Sequence, residues 1–242
     1  MKRLFFAAFV ANAVIPSVAL SDELSEDRIK ELVYEAIREN PGIVMEAVAI
    51  LERQQEQAAQ NAAMRVLRDQ RGLLENDPNA TVLGNPDGDV TVVEFLDYNC
   101  AFCRRVMPEV EEMIASDPNV RVVYREWPIL GDGSVFAARA ALAARSQGLF
   151  EPFHVAMMRL NEPAQETSVL RVAREVGLDV DQLLIDMEAP EIDEHIRTSM
   201  ELTRALGFNG TPSFVIGDEL VRGYVEAEVL IDQVQTVRSL QN

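Results

Sequence analysis

Apolar residues recur along this chain with two periods, and the switches between them divide it into parts. Ile29, Leu32, Val33, Ala36 and Ile37 follow the i, i+3, i+4, i+7, i+8 pattern of one helix face, predicting a helix from about Glu26 to Glu39. Asn40 and Pro41 interrupt it. Asn40 can cap a second helix with Pro41 at its first position, and no breaker follows before Gly72, so that helix is expected to run to about Leu74. Its apolar positions, Val44, Ala47, Val48, Leu51, Ala58, Ala62, Val66 and Leu67, are sparse and flank the glutamine-rich stretch Gln54 to Gln60. A long helix with so thin a stripe builds no core of its own. It packs on another chain or on the main domain, or serves as a solvated linker, because the seam is imperfect against a strict heptad.

Glu75 to Asp89 is rich in turn formers and reads as a linker carrying a short strand at Thr81 to Gly84. Val90 to Tyr98 is apolar and β-branched nearly throughout, the pattern of a central strand covered on both faces. Cys100 follows at once, and Val106, Val110, Met113 and Ile114 make Ala101 to Ala115 helical. Another strand is expected at Val120 to Arg125. Helices then follow near Ser134 to Gln147, Leu149 to Leu160, Thr167 to Val176, Val180 to Met187 and Glu191 to Leu206. A hairpin, Ser213 to Ile216 and Leu220 to Arg222 around Gly217-Asp218, and a helix from about Glu226 to Leu240 close the chain.

The first residues carry a different signal. Lys2 and Arg3 precede an apolar run from Leu4 to Ile15, Pro16 ends it, and small residues stand at Ala19 and Ser21. The run falls short of the about 20 residues that span a bilayer, so residues 1–21 read as an export signal with cleavage expected before Asp22. The expected organisation is a signal peptide over 1–21, a helical oligomerisation segment over 22–75 and a catalytic domain over 76–242. The net charge of -18 over the 242 residues repels phosphate backbones and excludes nucleic acid as a partner.

Export changes what Cys100 and Cys103 mean. A structural disulfide is most useful when it closes a long loop, and a C-x-x-C pair closes almost none, so this bond is better explained as one that opens and closes, with a pair of buried, unreactive thiols as the alternative. Zinc, the other reading of C-x-x-C, needs four ligands, and the chain offers no further cysteine and only His154 and His195, far along on helices. Those histidines read as surface or satisfied core residues. Met157, Met158, Met187 and Met200 read as core filler rather than a copper site. At a strand-to-helix turn Cys100 meets unpaired backbone N–H groups and the positive end of the helix dipole. C-x-x-C thiols so placed have pKa values lowered to about 3.5 to 7.5.

Three segments in order, Val-Val-Glu-Phe-Leu-Asp-Tyr-Asn-Cys-Ala-Phe-Cys-Arg-Arg, Trp-Pro-Ile-Leu-Gly and Gly-Thr-Pro-Ser-Phe-Val-Ile-Gly, resemble the DsbA-like periplasmic thiol-disulfide oxidoreductases. Within them the chain is most similar to the suppressor-of-copper-sensitivity C (ScsC) group, which carries an N-terminal helical extension. The resemblance covers about residues 80–240. It implies an α/β thioredoxin fold with an all-helical block inserted at about 132–206, preceded by a helical stalk, and a cis-Pro212 facing the cysteines. It also implies a periplasmic setting, exported cysteine-containing substrates, a membrane redox partner and a homotrimer, with no cofactor beyond the redox-active disulfide.

On this reading Cys100 is the nucleophile, Cys103 resolves the mixed disulfide, and Glu94, in the family position of a buried acid, relays the proton of Cys103. A salt-bridged or edge-facing Glu94 is the alternative. Thr211 and Pro212, with Ala101 and Phe102, line the substrate groove. Strongly oxidising family members carry proline and histidine between the cysteines, where this chain has Ala101 and Phe102. Phe102 offers the thiolate neither a hydrogen bond nor a charge, whereas Arg104 and Arg105 place cations nearby. The expected activity is disulfide isomerisation or reduction; a monomeric dithiol oxidase and a non-catalytic holdase or binding module are the alternatives.

Overall fold

The computed structural model describes residues 25–241, so the expected signal peptide lies outside the described residues. The chain divides into two compact units after Gln54.

In the first unit, helix α1 (Glu26–Glu39) is capped by the Ser25 side chain, which accepts from the Arg28 N–H at 3.3 Å. Asn40 closes α1, its N–H reaching Ala36 O at 2.9 Å, and its carbonyl accepts the Ile43 N–H at 3.1 Å where the next helix begins. Helix α2 (Gly42–Asp69) follows and runs on into the second unit. No residue of α1 is buried, and Ile29, Leu32 and Val33 of its stripe are exposed, as are Ile43, Val44, Val48 and Leu51 of α2.

The second helix ends sooner than its sequence predicts. Gln70 leaves helical geometry at φ -121°, ψ 16°, and a short helix α3 (Arg71–Glu75) follows. The break lets the chain turn and bury Leu74 beside Leu67, both with no exposed surface. The last turns of α2 and all of α3 therefore pack in the second unit, and the compact-unit boundary lies well before residue 75.

That unit is built on a five-stranded sheet of β1 (Thr81–Gly84), β2 (Val90–Leu96), β3 (Val120–Glu126), β4 (Ser213–Ile216) and β5 (Glu219–Arg222), in the order β1-β3-β2-β4-β5. Strands β2 and β3 are parallel and the other pairings antiparallel. The parallel pair needs a crossover, supplied by α4 (Ala101–Ser116). Because side chains alternate across a strand, the near-continuous apolar run of β2 feeds two cores. Val92 and Leu96 join Val122, Tyr124, Phe214 and α4 on one face; Val93 and Phe95 join Leu67, Leu74, Val123 and Trp127 on the other.

Between β3 and β4 the chain forms α5 (Asp132–Ala144), α6 (Phe150–Met158), α7 (Glu166–Glu175), α8 (Val180–Asp186) and α9 (Pro190–Ala205), the inserted helical block. Pro190, read from sequence as a separator, is the first residue of α9, where its missing N–H costs nothing. The β4–β5 turn requires Gly217: its φ is +60°, and an added Cβ would stand 2.7 Å from Val237. Helix α10 (Ala227–Gln241) closes the fold.

Candidate active site

Strand β2 ends at Leu96, and three residues later the chain turns into α4 with Cys100 as its N-cap. The Cys100 N–H bonds Asp97 O at 3.0 Å, which fixes the turn, and Cys100 Sγ stands 3.2 Å from Thr211 O, to which it donates only in its protonated form. The Thr211–Pro212 peptide is cis, and Pro212 O accepts from the Gly223 N–H at 2.9 Å, anchoring this loop to the end of β5. Two segments 111 residues apart in sequence thus meet at one sulfur. Cys103, one turn inward, is fully buried, while Ala101 and Phe102 are exposed at the surface beside Cys100. Pro212 is buried and Thr211 half-buried. The cysteines are both free thiols.

The electrostatics separate the two sulfurs. A hydrogen bond from Cys103 holds the Cys100 pKa down to about 5, helped by the Thr211 side chain and the backbone N–H groups of Cys103 and Phe102, against the opposing effect of burial. Burial, and the same bond seen from its other end, push Cys103 well above the usual thiol range. Near neutral pH the pair therefore holds one thiolate, on the outer sulfur.

Glu94 lies on β2 opposite Tyr124 of β3 and Phe214 of β4, 2% exposed, on the face that carries α4. It pairs with no cation among the described residues, which overturns the salt-bridged and edge-facing alternatives. Burial, and next the Cys100 charge, raise its pKa to about 8. The two arginines after the pair are engaged elsewhere. Arg104 donates to Tyr98 O at 2.8 Å and Leu160 O at 2.9 Å, and Arg105 stacks 4.3 Å from the Tyr224 ring centre. Neither hydrogen-bonds the sulfur, although the field of Arg104 reaches it.

Sequence reasoning missed two buried acids. Asp97, 1% exposed, accepts the N–H groups of Asn99, Ile129 and Leu130 at 2.8, 2.8 and 3.0 Å, tying the redox turn to the loop after β3. Glu126, at the end of β3, accepts the Tyr98 hydroxyl at 3.3 Å. Asp97 stands inside the first quoted motif and Glu126 directly before the second, but the cysteines absorbed the first signal and nothing local marked the second. Asn99 adds a third tie, its amide accepting Ala164 N at 2.7 Å and donating to Ala164 O and Ser134 Oγ at 3.1 Å.

His154 and His195 are core residues, bonded through Nδ1 to the Tyr98 hydroxyl at 3.0 Å and to Asp77 at 2.8 Å. Among the described residues, no group of three or more His, Cys, Asp and Glu could hold a metal ion. Met157, Met158 and Met187 are core residues; Met200, expected there too, is exposed because it lies on the outer face of α9.

Comparison with known proteins agrees with this geometry. Residues 91–235 match the family model of the DSBA-like thioredoxin domain, and residues 26–58 match the N-terminal domain of the copper resistance protein ScsC. A thioredoxin-like oxidoreductase from Silicibacter pomeroyi DSS-3 is 64% identical, the match covering 70% of this chain and 98% of that one at a TM-score of 0.69. ScsC of Proteus mirabilis in a transitional conformation is 26% identical over 93% of this chain and all of its own, with a TM-score of 0.67. Among curated relatives, the Na+/H+ antiporter NhaA of Herminiimonas arsenicoxydans is 27% identical over 158 residues, 65% of this chain. That match is 25% of the antiporter, so the chain spans about a quarter of that relative's length. With its redox motif, thioredoxin sheet and inserted helices, the chain belongs to the DsbA-like thioredoxin family of thiol-disulfide oxidoreductases.

Proposed function

We propose that this protein is a periplasmic disulfide isomerase and reductase of exported cysteine-containing proteins, working as a homotrimer. The observation that carries the reading is the pairing of an acidic, substrate-facing Cys100 with a buried, basic Cys103 above Glu94. The Cys100 thiolate attacks a substrate disulfide, forming a mixed disulfide and releasing one substrate thiolate. The Thr211-Pro212 loop and the exposed Phe102 and Ala101 hold the substrate segment beside the sulfur. In isomerisation the released thiolate attacks elsewhere in the substrate, and Cys100 departs again as thiolate with no net electron transfer. In reduction, Cys103 gives its proton to ionised Glu94 and attacks the Cys100 sulfur; the Cys100–Cys103 bond forms, the bond to the substrate breaks, and the second substrate sulfur leaves as thiolate with two electrons passed to the substrate. Once Cys100 is in a disulfide its charge is gone, so Glu94 ionises more readily and becomes a better base when that proton must leave. A membrane thiol-disulfide partner would return the pair to its working redox state.

The preference for isomerisation rests on Phe102 and on the N-terminal helices. Phe102 gives the thiolate no hydrogen bond of the kind that makes a strong oxidant. The exposed apolar stripes of α1 and the first half of α2 coincide with the ScsC N-terminal match, and self-association would bury them. Several sites acting on one misfolded substrate raise the local thiol concentration. The decisive experiment compares insulin reduction and refolding of scrambled ribonuclease by wild type, Cys100→Ala and Cys103→Ser. The proposal expects Cys100→Ala to abolish both activities and Cys103→Ser to accumulate a mixed disulfide at Cys100. Activity that survives Cys100→Ala would make the protein a holdase instead.

A further inference from the structure

Glu126 is fully buried, and the position of its partners gives it more than a structural part. Its Oε1 accepts the Tyr98 hydroxyl, while Oε2 has no hydrogen-bond partner among the described residues. An ionised carboxylate with a buried, unsatisfied oxygen is costly, so the neutral acid is the favoured form. Tyr98 has one hydroxyl hydrogen. With that hydrogen given to Glu126, the Tyr98 oxygen must accept from Nδ1–H of His154, 3.0 Å away, which leaves His154 Nε2 as a bare acceptor. His154 lines a cavity of about 200 Å³ together with Met107, Tyr124, Glu111, Glu151 and Val155. In that arrangement the donors run in one sense, from the cavity through His154 and Tyr98 to Glu126.

The inner end of this chain lies beside Glu94. Glu94 is level with Tyr124 and Leu96 with Glu126 in the parallel β2–β3 register, so the two acids share a face and stand two residues apart along neighbouring strands. Strand geometry puts their Cα atoms about 8 Å apart, within reach of two glutamate side chains. We propose that His154, Tyr98 and Glu126 form a proton supply line from this cavity to Glu94, serving the Cys103 sulfur. The inference rests on the thiol-disulfide reading above.

When a substrate thiolate attacks Cys100 of the oxidised pair, the S–S bond breaks and its electrons leave with Cys103. Glu94 gives its proton to that sulfur, Glu126 gives its own to Glu94, and Tyr98, then His154, refill Glu126 from the solvent side. Each O–H or N–H that breaks is matched by a bond that forms. When Cys103 attacks instead, the same protons move outward. Glu126 acts through Glu94 and is a positioning residue. The charged and titratable groups facing it are Tyr98 and Asp97 beyond the end of β2, Glu94 on β2, and His195 of α9, whose Nε2 accepts its backbone N–H at 3.2 Å. Burial holds Glu126 well above the usual carboxylate range and His154 down to about 3, so both rest uncharged between turnovers.

The test follows reduction of the oxidised full-length protein by dithiothreitol, by stopped-flow fluorescence of Trp127 between about pH 5 and 8. Wild type, Glu126→Gln, Tyr98→Phe, and each of these in a Glu94→Gln background are compared. The single variants should be slower by roughly tenfold, regain speed in concentrated small-acid buffers that leave wild type unmoved, and add nothing to Glu94→Gln. Should Glu126→Gln not fold, Tyr98→Phe, which keeps the ring and removes only the hydroxyl, carries the same expectation. Wild-type rates and pH profile in Tyr98→Phe, or a loss that small acids do not restore, overturn the supply line. A wild-type protein that is not reduced through Cys100 would instead defeat the thiol-disulfide reading.

Discussion

Titration of Cys100 gives the sharpest check on the site. Cys103, Thr211 and the first N–H groups of α4 stabilise its thiolate and lower its pKa from 9.0 to about 5. The folded value lies below the unfolded one, so the contribution to stability is fully present above the unfolded pKa and is lost as pH falls through about 5. At pH 7, two units above the folded value and two below the unfolded one, the linkage stabilises the reduced protein by roughly 2 to 3 kcal/mol. The oxidised protein has no thiolate and gains nothing. The same energy therefore makes the disulfide more oxidising by about 60 mV than an unperturbed pair at that pH. The assay is the thiolate absorbance of the reduced protein between about pH 3 and 9, with Cys100→Ala as blank, beside chemical denaturation of both redox forms at each pH. A midpoint near 5 is expected, with a stability gap between reduced and oxidised protein that widens from about pH 5 upward. A midpoint at or above about 8.5, or a gap independent of pH, would refute the assignment of Cys100 as the stabilised thiolate.

Other expectations follow from particular residues. Phe102→His places a hydrogen-bonding, partly cationic ring beside the thiolate and should raise the reduction potential by tens of millivolts in glutathione equilibration, about 30 mV for each 1.4 kcal/mol; an unmoved or lowered potential would show that position 102 does not act on the sulfur. Leu67→Ala should cost about 2 to 5 kcal/mol in denaturant unfolding, because Leu67 is fully buried in the catalytic unit, and a near-neutral result would place it in the N-terminal segment instead. A protein beginning at Gln55 should sediment as a folded monomer that reduces insulin but has lost most isomerase activity, whereas one beginning at Asn76 should be much less stable for want of Leu67 and Leu74. Full-length protein that sediments as a monomer would remove the reason for the exposed stripes.

The redox centre was legible in sequence because its signals are local. A β-branched apolar run, a C-x-x-C pair and a helical period follow one another within the stretch from Val90 to Ser116, and each depends on neighbours in the chain. The order of elements and the inserted helices came through for the same reason, since Gly148, Pro163 and Gly177 punctuate the block wherever they stand. What tertiary structure alone decided was which distant groups share a face. No local pattern distinguishes Leu67 and Leu74, buried under the sheet, from Leu51, exposed on the same helix as Leu67; the difference is what packs opposite. Arg104 follows the cysteines in sequence, yet its Nε and Nη1 donate to the backbone carbonyls of Tyr98 and Leu160 rather than to the thiolate, because the fold places those carbonyls within its reach. Thr211, Glu126 and His154 reach the site only through sheet register and helix packing. Charge and proton affinity there depend on burial, and burial is a property of the assembled fold rather than of any segment.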